Sequence, residues 1–290
     1  MDIMTDNIPK IALVSPLKDE IDNIDKFIKA LENQTIIIQC LIIVENDSSD
    51  GSREYLDKLK TIKNVEHFTV INMHFEDTSY RVGKKYATII DKGFQSLKEK
   101  PFYDKLDYIG ILDCDVFPEK DYYYKLTNFL KSNPKIGISS GLIYTEEGKL
   151  HLTDPNWVRG GCRLWKKKCF DEAGYKIAYT ADTVSVALAH IKGWKTKTLK
   201  NSKTFSREVN VRISSYKNKG YHAYYRGHTL IFIILRSFFL IFVKRQMKIG
   251  FEFFLGFVDG MLKRKPRIEN QAIRNYFKFY LFNKIIGKYK

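Results

Sequence analysis

The sequence predicts an α/β fold in which a mostly parallel sheet is flanked by helices and followed by a basic, amphipathic helical region. Three observations carry this expectation. Short apolar runs of strand length alternate with stretches whose apolar residues recur at helical spacing. Polar loops follow the first, second and fourth runs, at residues 16–20, 45–51 and 113–115. The charge is also divided along the chain. Residues 1–130 carry 17 Lys and Arg against 23 Asp and Glu, and the remaining 160 residues carry 32 against 10. So basic a half points to a polyanionic partner: nucleic acid, an anionic membrane surface or a phosphorylated substrate. With 290 residues and 44% hydrophobic content, the chain is long and apolar enough to bury a core.

Taken in order, residues 10–15 form a first strand, closed by Pro16. Ile24, Phe27, Ile28 and Leu31 then mark a helix over 23–31. A second strand covers 36–44, a polar burst covers 45–52, and a helix covers 53–59. Ser48 and Asp50 suit a turn and the cap of that following helix. A strand at 65–73, a helix at 84–97 and a strand at 108–112 complete the βαβ pattern. Ligands of such sheets sit beyond the carboxyl ends of the strands, where the three polar loops converge. Side chains alternate along a strand, so Asp113 and Asp115 are expected on one side where the fourth strand leaves the sheet. Two carboxylates there suit Mg²⁺ or Mn²⁺ holding a phosphate, or else form a solvated acidic exit.

The ordered set Val14-Ser15-Pro16-Leu17-Lys18-Asp19-Glu20, Gln34-Thr35, Val44-Glu45-Asn46-Asp47-Ser48-Ser49-Asp50-Gly51-Ser52 and Leu112-Asp113-Cys114-Asp115 resembles family 2 glycosyltransferases. The resemblance implies the GT-A fold and a hexosyltransferase using a nucleotide-sugar donor. By resemblance, Pro16 and Lys18 line the base pocket with Glu20 nearby, and Glu45 and Asn46 bind base and ribose. Those two stand where the family often has a pair of aspartates. Lys84, at the helix start after Gly83, and Arg207 would hold the diphosphate, where a helix N-terminus and a guanidinium suit phosphate. Asp115 would contact the metal directly, with Asp113 nearer the ribose or behind the metal and Cys114 between them. Gly160 and Gly161 fall on the acceptor side, where they would let a sugar or pyrophosphate approach the backbone. Asp182 occupies the position of the catalytic base of an inverting transfer; by itself, an Asp at a helix start also reads as a cap.

Beyond the strand at 136–144 and the helix from 182 to 191, the texture changes at residue 221. This predicts a catalytic domain over 1–220 and a membrane-association region over 221–290. Apolar blocks at 227–243 and 249–262 are framed by Lys244, Arg245, Lys248, Lys263, Arg264 and Lys265. That pattern fits helices lying in the interface of an anionic membrane, a helical subdomain packed on the core, or a short re-entrant span. The N-terminus lacks the pattern of a signal peptide, and the four cysteines lack metal-type spacing, so the cytosolic face of the membrane is expected. The acceptor is expected to be a lipid-linked or cell-surface glycan. Polyprenyl-phosphate sugar synthesis is the nearest alternative, and a scaffold without activity is a more distant one. A nucleic-acid binder could use the basic half, but its long apolar runs and lack of a recognition motif argue against nucleic acid as a partner.

Overall fold

The computed structural model describes residues 8–75, 84–151, 157–206 and 214–286. Four strands, β1 (Ile11–Leu17), β2 (Ile38–Asn46), β3 (Val65–Met73) and β4 (Tyr108–Ile111), form a parallel unit in the order β3-β2-β1-β4. Helices α1 (Ile21–Glu32), α2 (Leu56–Leu59) and α3 (Lys84–Lys98) make the crossovers. Apolar side chains of β1 alternate between the faces. Ile11, Leu13 and Leu17 pack toward α1, and Ala12 and Val14 toward α3. Both faces are covered, which is why these strands read as unbroken apolar runs.

The second half continues with β5 (Val116–Pro118), α4 (Tyr122–Ser132), β6 (Ile136–Thr145), β7 (Arg163–Lys166), α5 (Lys167–Ala173), α6 (Ala181–Ile191) and β8 (Lys195–Ser206). The full sheet has eight strands in the order β3-β2-β1-β4-β7-β6-β8-β5. β7 lies antiparallel between β4 and β6, so the sheet is mixed. Trp165 of β7 is fully buried, with its ring edge-on to Phe94 of α3 and Phe170 of α5.

Three local readings change. β2 runs on to Asn46, so Glu45 and Asn46 are strand residues rather than loop residues. The helix expected at 53–59 is a single turn, Leu56–Leu59. β4 stops at Ile111, and the amide of Val116 donates to the Asp113 carbonyl at 3.0 Å. Asp113 and Asp115 therefore lie on a turn, and strand alternation is not what brings them together.

The C-terminal helices are α7 (Ser214–Arg226), α8 (Leu230–Phe238) with a π-helical turn (Phe239–Val243), α9 (Met247–Leu262), α10 (Gln271–Lys278) and α11 (Tyr280–Ile285). The expected boundary at residue 221 falls inside α7. Helices α7 and α9 approach backbone to backbone: a Cβ on Gly220 would lie 2.0 Å from the Phe253 carbonyl, and one on Gly256 would lie 1.9 Å from that of Lys217. Ile273, Tyr276 and Phe277 of α10 pack with Val184 and Ala187 of α6, which joins this region to the part of the chain that forms the sheet. Among the described residues, no helix is long and apolar enough to cross a membrane.

Candidate active site

The loops after β1 and β2 are clipped together by groups that their composition supplies. The Asp19 amide donates to Ser48 Oγ (3.1 Å), the Glu20 amide to Ser52 Oγ (2.9 Å) and the Ile21 amide to Asp50 Oδ2 (2.9 Å). In return, the Ser49 amide donates to Asp19 Oδ1 at 2.7 Å. Ser48 and Asp50 thus satisfy the free amides at the start of α1, not those of the helix that follows them. Asp19 and Asp47 take left-handed backbone conformations, with φ of 52° and 50°, which short polar side chains tolerate.

This clip forms one wall of a cavity of about 660 Å³, which also takes in Pro16, Lys18, Glu20, Asn46, the turn 113–115 and Asp182. The Asn46 side chain is buried, and its amide oxygen accepts no hydrogen bond from a described residue. Lys18 Nζ donates to the carbonyls of Asn46 (3.1 Å) and Asp47 (2.9 Å), tying the two loops from inside. Glu45 does not line the cavity. It is fully buried and engaged by the Ser48 amide (2.6 Å) and the Arg53 guanidinium (2.7 Å), so it shapes the loop.

Acidic groups converge on the opposite wall. A Cβ built on Gly160 would lie 2.3 Å from Asp182 Oδ2, and one built on Gly161 would lie 2.0 Å from Asp113 Oδ2. The groups that approach these two glycines are the protein's own carboxylates, where the sequence reading had expected sugar or pyrophosphate. Burial, together with repulsion from Asp115, raises Asp113 from 3.8 to about 7, although Tyr86 donates to its Oδ1 at 2.7 Å. Burial also raises the Cys114 thiol, which stays protonated and serves as packing.

The cap position of α6 is Thr180, in a left-handed conformation at φ 56°. Asp182 is therefore the second residue of the helix and not its cap, and no described residue hydrogen-bonds its carboxylate. Its carbonyl is held by Arg163 Nη1 (2.9 Å), and the same side chain donates to Ser185 and to the carbonyls of Arg159 and Val158. Fully buried Arg163 thus sets the Gly160–Gly161 loop against the start of α6.

At the head of α3, Lys85 and Tyr86 line the cavity; Lys84 turns away and stacks over the Tyr179 ring at 5.3 Å. Arg207 and residues 80–83 lie outside the described residues. Sequence reasoning missed Tyr86 and Arg163. Tyr86 left a trace, because it follows two lysines at the start of an amphipathic helix. Arg163 left the trace of an arginine set directly before the apolar pair Leu164 and Trp165.

The profile of glycosyl transferase family 2 matches residues 13–191. The chain is 27% identical over 150 residues to "Probable glucomannan 4-beta-mannosyltransferase 4" of Oryza sativa subsp. japonica, an alignment that covers 43% of this chain and 26% of the rice protein. Among solved structures, S. aureus TarS superposes with a TM-score of 0.56 at 12% identity, over 80% of this chain and 44% of that one. The mannosyltransferase PcManGT from Pyrobaculum calidifontis, in complex with GDP-Man and Mn²⁺, gives 0.55 at 11% identity, over 97% and 87%. These likenesses establish the GT-A type of fold.

Proposed function

The chain belongs to glycosyl transferase family 2, and from that premise we propose that it moves a sugar from a nucleotide-sugar donor to a hydroxyl of a lipid-linked or cell-surface glycan. The observation that carries this reading is the glycine pair. Gly160 and Gly161 seat the carboxylates of Asp182 and Asp113 side by side on a cavity whose far wall holds a buried, unengaged amide oxygen.

Asn46 would accept a hydrogen bond from an N–H on the edge of the nucleotide base. Asp182 takes the proton of the acceptor hydroxyl. The acceptor oxygen then forms its bond to the anomeric carbon from the face opposite the departing oxygen, and the nucleoside diphosphate leaves with the electron pair, inverting the centre. Lys85 and Tyr86 face the side of the cavity where the diphosphate would lie.

Asp113 and Asp115 fit a divalent cation. A buried carboxyl raised to about 7 beside a second carboxylate is relieved by positive charge. Among the described residues no cluster of three acidic, His or Cys groups forms a cage, so substrate phosphate and water would complete the shell, as Mg²⁺ and Mn²⁺ allow. When bound, the ion offsets the charge of the leaving diphosphate. The GDP-Man and Mn²⁺ of the Pyrobaculum enzyme, and the UDP-GlcNAc of a TarS structure, support a donor of this class.

Docking on an anionic membrane surface belongs to the same reading. Ile231, Ile234, Phe238 and Phe242 form an exposed stripe at helical spacing along α8 and its π turn, and Met247, Phe251 and Leu255 form another along α9. Lys244 and Arg245 lie between these stripes in the chain, Lys248 follows Met247 in α9, and together they supply the complementary charge. Four buried free cysteines suit the reducing, cytosolic side.

The first test is a thermal-shift panel of UDP, GDP, CDP and dTDP, each with and without Mn²⁺. One nucleotide raising the melting temperature only with metal is the expected result. No shift with any of the four would defeat the donor assignment.

A further inference from the structure

A second cavity, of about 400 Å³, lies behind the start of α6, between the C-terminal end of α7, α8 and the α10–α11 pair. Two of its buried nitrogens, Arg226 Nε and His228 Nδ1, have no hydrogen-bond partner among the described residues. The Arg226 guanidinium reaches through the wall to donate to Thr180 Oγ1 at 2.6 Å and packs over the Phe277 ring at 5.2 Å. Its buried Nε bonds nothing, and no carboxylate among the described residues pairs with it. His228 is 6% exposed, stacked on Phe232 with ring centres 4.1 Å apart, and its Nδ1 is also buried and unbonded. A buried cation without a counter-charge is destabilising, and an unmet ring nitrogen beside it adds to the deficit. Burial lowers Arg226 to about 10 and, with help from Arg226, depresses His228.

The two ends of the cavity differ in chemistry. At the inner end, Thr183 lines it one residue after Asp182, and Arg226 holds Thr180, which lies on the wall of the donor cavity. Toward the outside, Phe232, Leu235 and Phe239 line it together with Arg236, whose guanidinium lies over the Phe239 ring, and Leu235 is 56% exposed beside the apolar stripe of α8. Arg226 therefore stands between Thr180, two residues before Asp182, and the apolar residues of α8 that line the cavity. A molecule that matches this order carries a hydroxyl, then a phosphate, then a hydrocarbon chain.

We propose that this cavity holds the phosphate of a lipid-linked acceptor: Arg226 and His228 bind the phosphoryl oxygens, and the lipid chain leaves over Phe232, Leu235 and Phe239. This rests on Asp182 being the base that the acceptor must reach. A guanidinium fork matches phosphate oxygens, and no carboxylate among the described residues occupies the one on Arg226.

The test measures calorimetric binding to the full chain, with farnesyl phosphate as the probe, kept below its aggregation threshold. Farnesol and inorganic phosphate represent its two halves. Farnesyl phosphate is expected to bind at least tenfold more tightly than either half. Arg226→Gln should lose that preference, and Arg226→Lys should restore part of it. Equal binding of farnesol would remove the phosphate from the proposal, and equal binding of inorganic phosphate would remove the lipid. If dihexanoyl phosphatidylglycerol binds as well as farnesyl phosphate, the cavity is a general headgroup site and the acceptor assignment fails. Should Arg226→Gln not fold, the wild-type comparisons decide alone. A nucleotide and Mn²⁺ titration run alongside separates the two readings. Farnesyl phosphate binding without nucleotide binding defeats the donor site only, and the reverse defeats the phosphate cavity only.

Discussion

Asp182 and Asp113 are neighbours with opposite requirements. Asp182 has no hydrogen-bond partner among the described residues and must stay ionised to take a proton. Asn at this position keeps the shape and removes the base. Asp182→Asn should leave nucleotide affinity nearly unchanged while transfer falls by roughly 10²–10⁴-fold; undiminished turnover would remove Asp182 from the mechanism. Asp113 is raised from 3.8 to about 7 in the folded protein, by burial and then by Asp115. The folded state thus holds this proton more tightly than the unfolded chain does. The associated stability is complete below about pH 4 and is lost as the pH rises through about 7. With chelator present, the melting temperature should fall between pH 5 and 8. Asp113→Asn should flatten that fall and melt above the wild type at pH 8, while losing metal-dependent nucleotide binding. A variant as pH-sensitive as the wild type would show that the strain lies elsewhere. Gly160 and Gly161 explain why both carboxylates can be present at all, since any side chain there would occupy their space.

At the scale of elements, the donor wall depends on one loop capping another loop's helix. Asp50 meets the Ile21 amide at the start of α1 and also binds its own neighbour Ser52, so it ties β2 to α1. Asp50→Ala should destabilise the fold by about 1 kcal/mol, the usual value of a cap, and weaken nucleotide binding as the 16–20 loop loosens. Urea denaturation and the nucleotide titration read the two effects separately; an unchanged nucleotide affinity would mean that the clip is structural only. The sequence placed Ser48 and Asp50 at a helix start correctly in kind but chose the wrong helix, because capping chemistry is local in type and long-range in partner. The same limit applied to Glu45: the family resemblance implied ligand binding, and only the Ser48 amide and the Arg53 guanidinium show that its carboxylate is already engaged. Between α7 and α9, small residues at Gly220 and Gly256 allow backbone contact, a feature that composition does not announce.

At the scale of the whole molecule, the division of charge and the exposed apolar stripes act together. Hydrophobic burial would hold α8 and α9 at a bilayer surface, while the cations select anionic lipid. Wild-type protein should sediment with vesicles containing phosphatidylglycerol, and less so as salt rises. The double variant Ile234→Asp, Phe238→Asp should stay in the supernatant with its nucleotide binding intact. Sedimentation of that variant at wild-type levels, or a wild type indifferent to vesicles, would rule out docking through this face. α10 packs on α6, the helix that carries Asp182, so the C-terminal helices and the site share one packed cluster.

The alternation of strands and helices in the first half and the three loops gathered on one sheet edge could be read from the sequence. They depend on periodicity and residue type, which the chain states locally. Which carboxylate touches which glycine, which lysine of Lys84 and Lys85 faces the cavity, and the unmet Arg226 behind α6 were decided only by the tertiary structure. Each of these depends on the distance between residues far apart in the chain, and such distances are fixed by packing rather than by pattern.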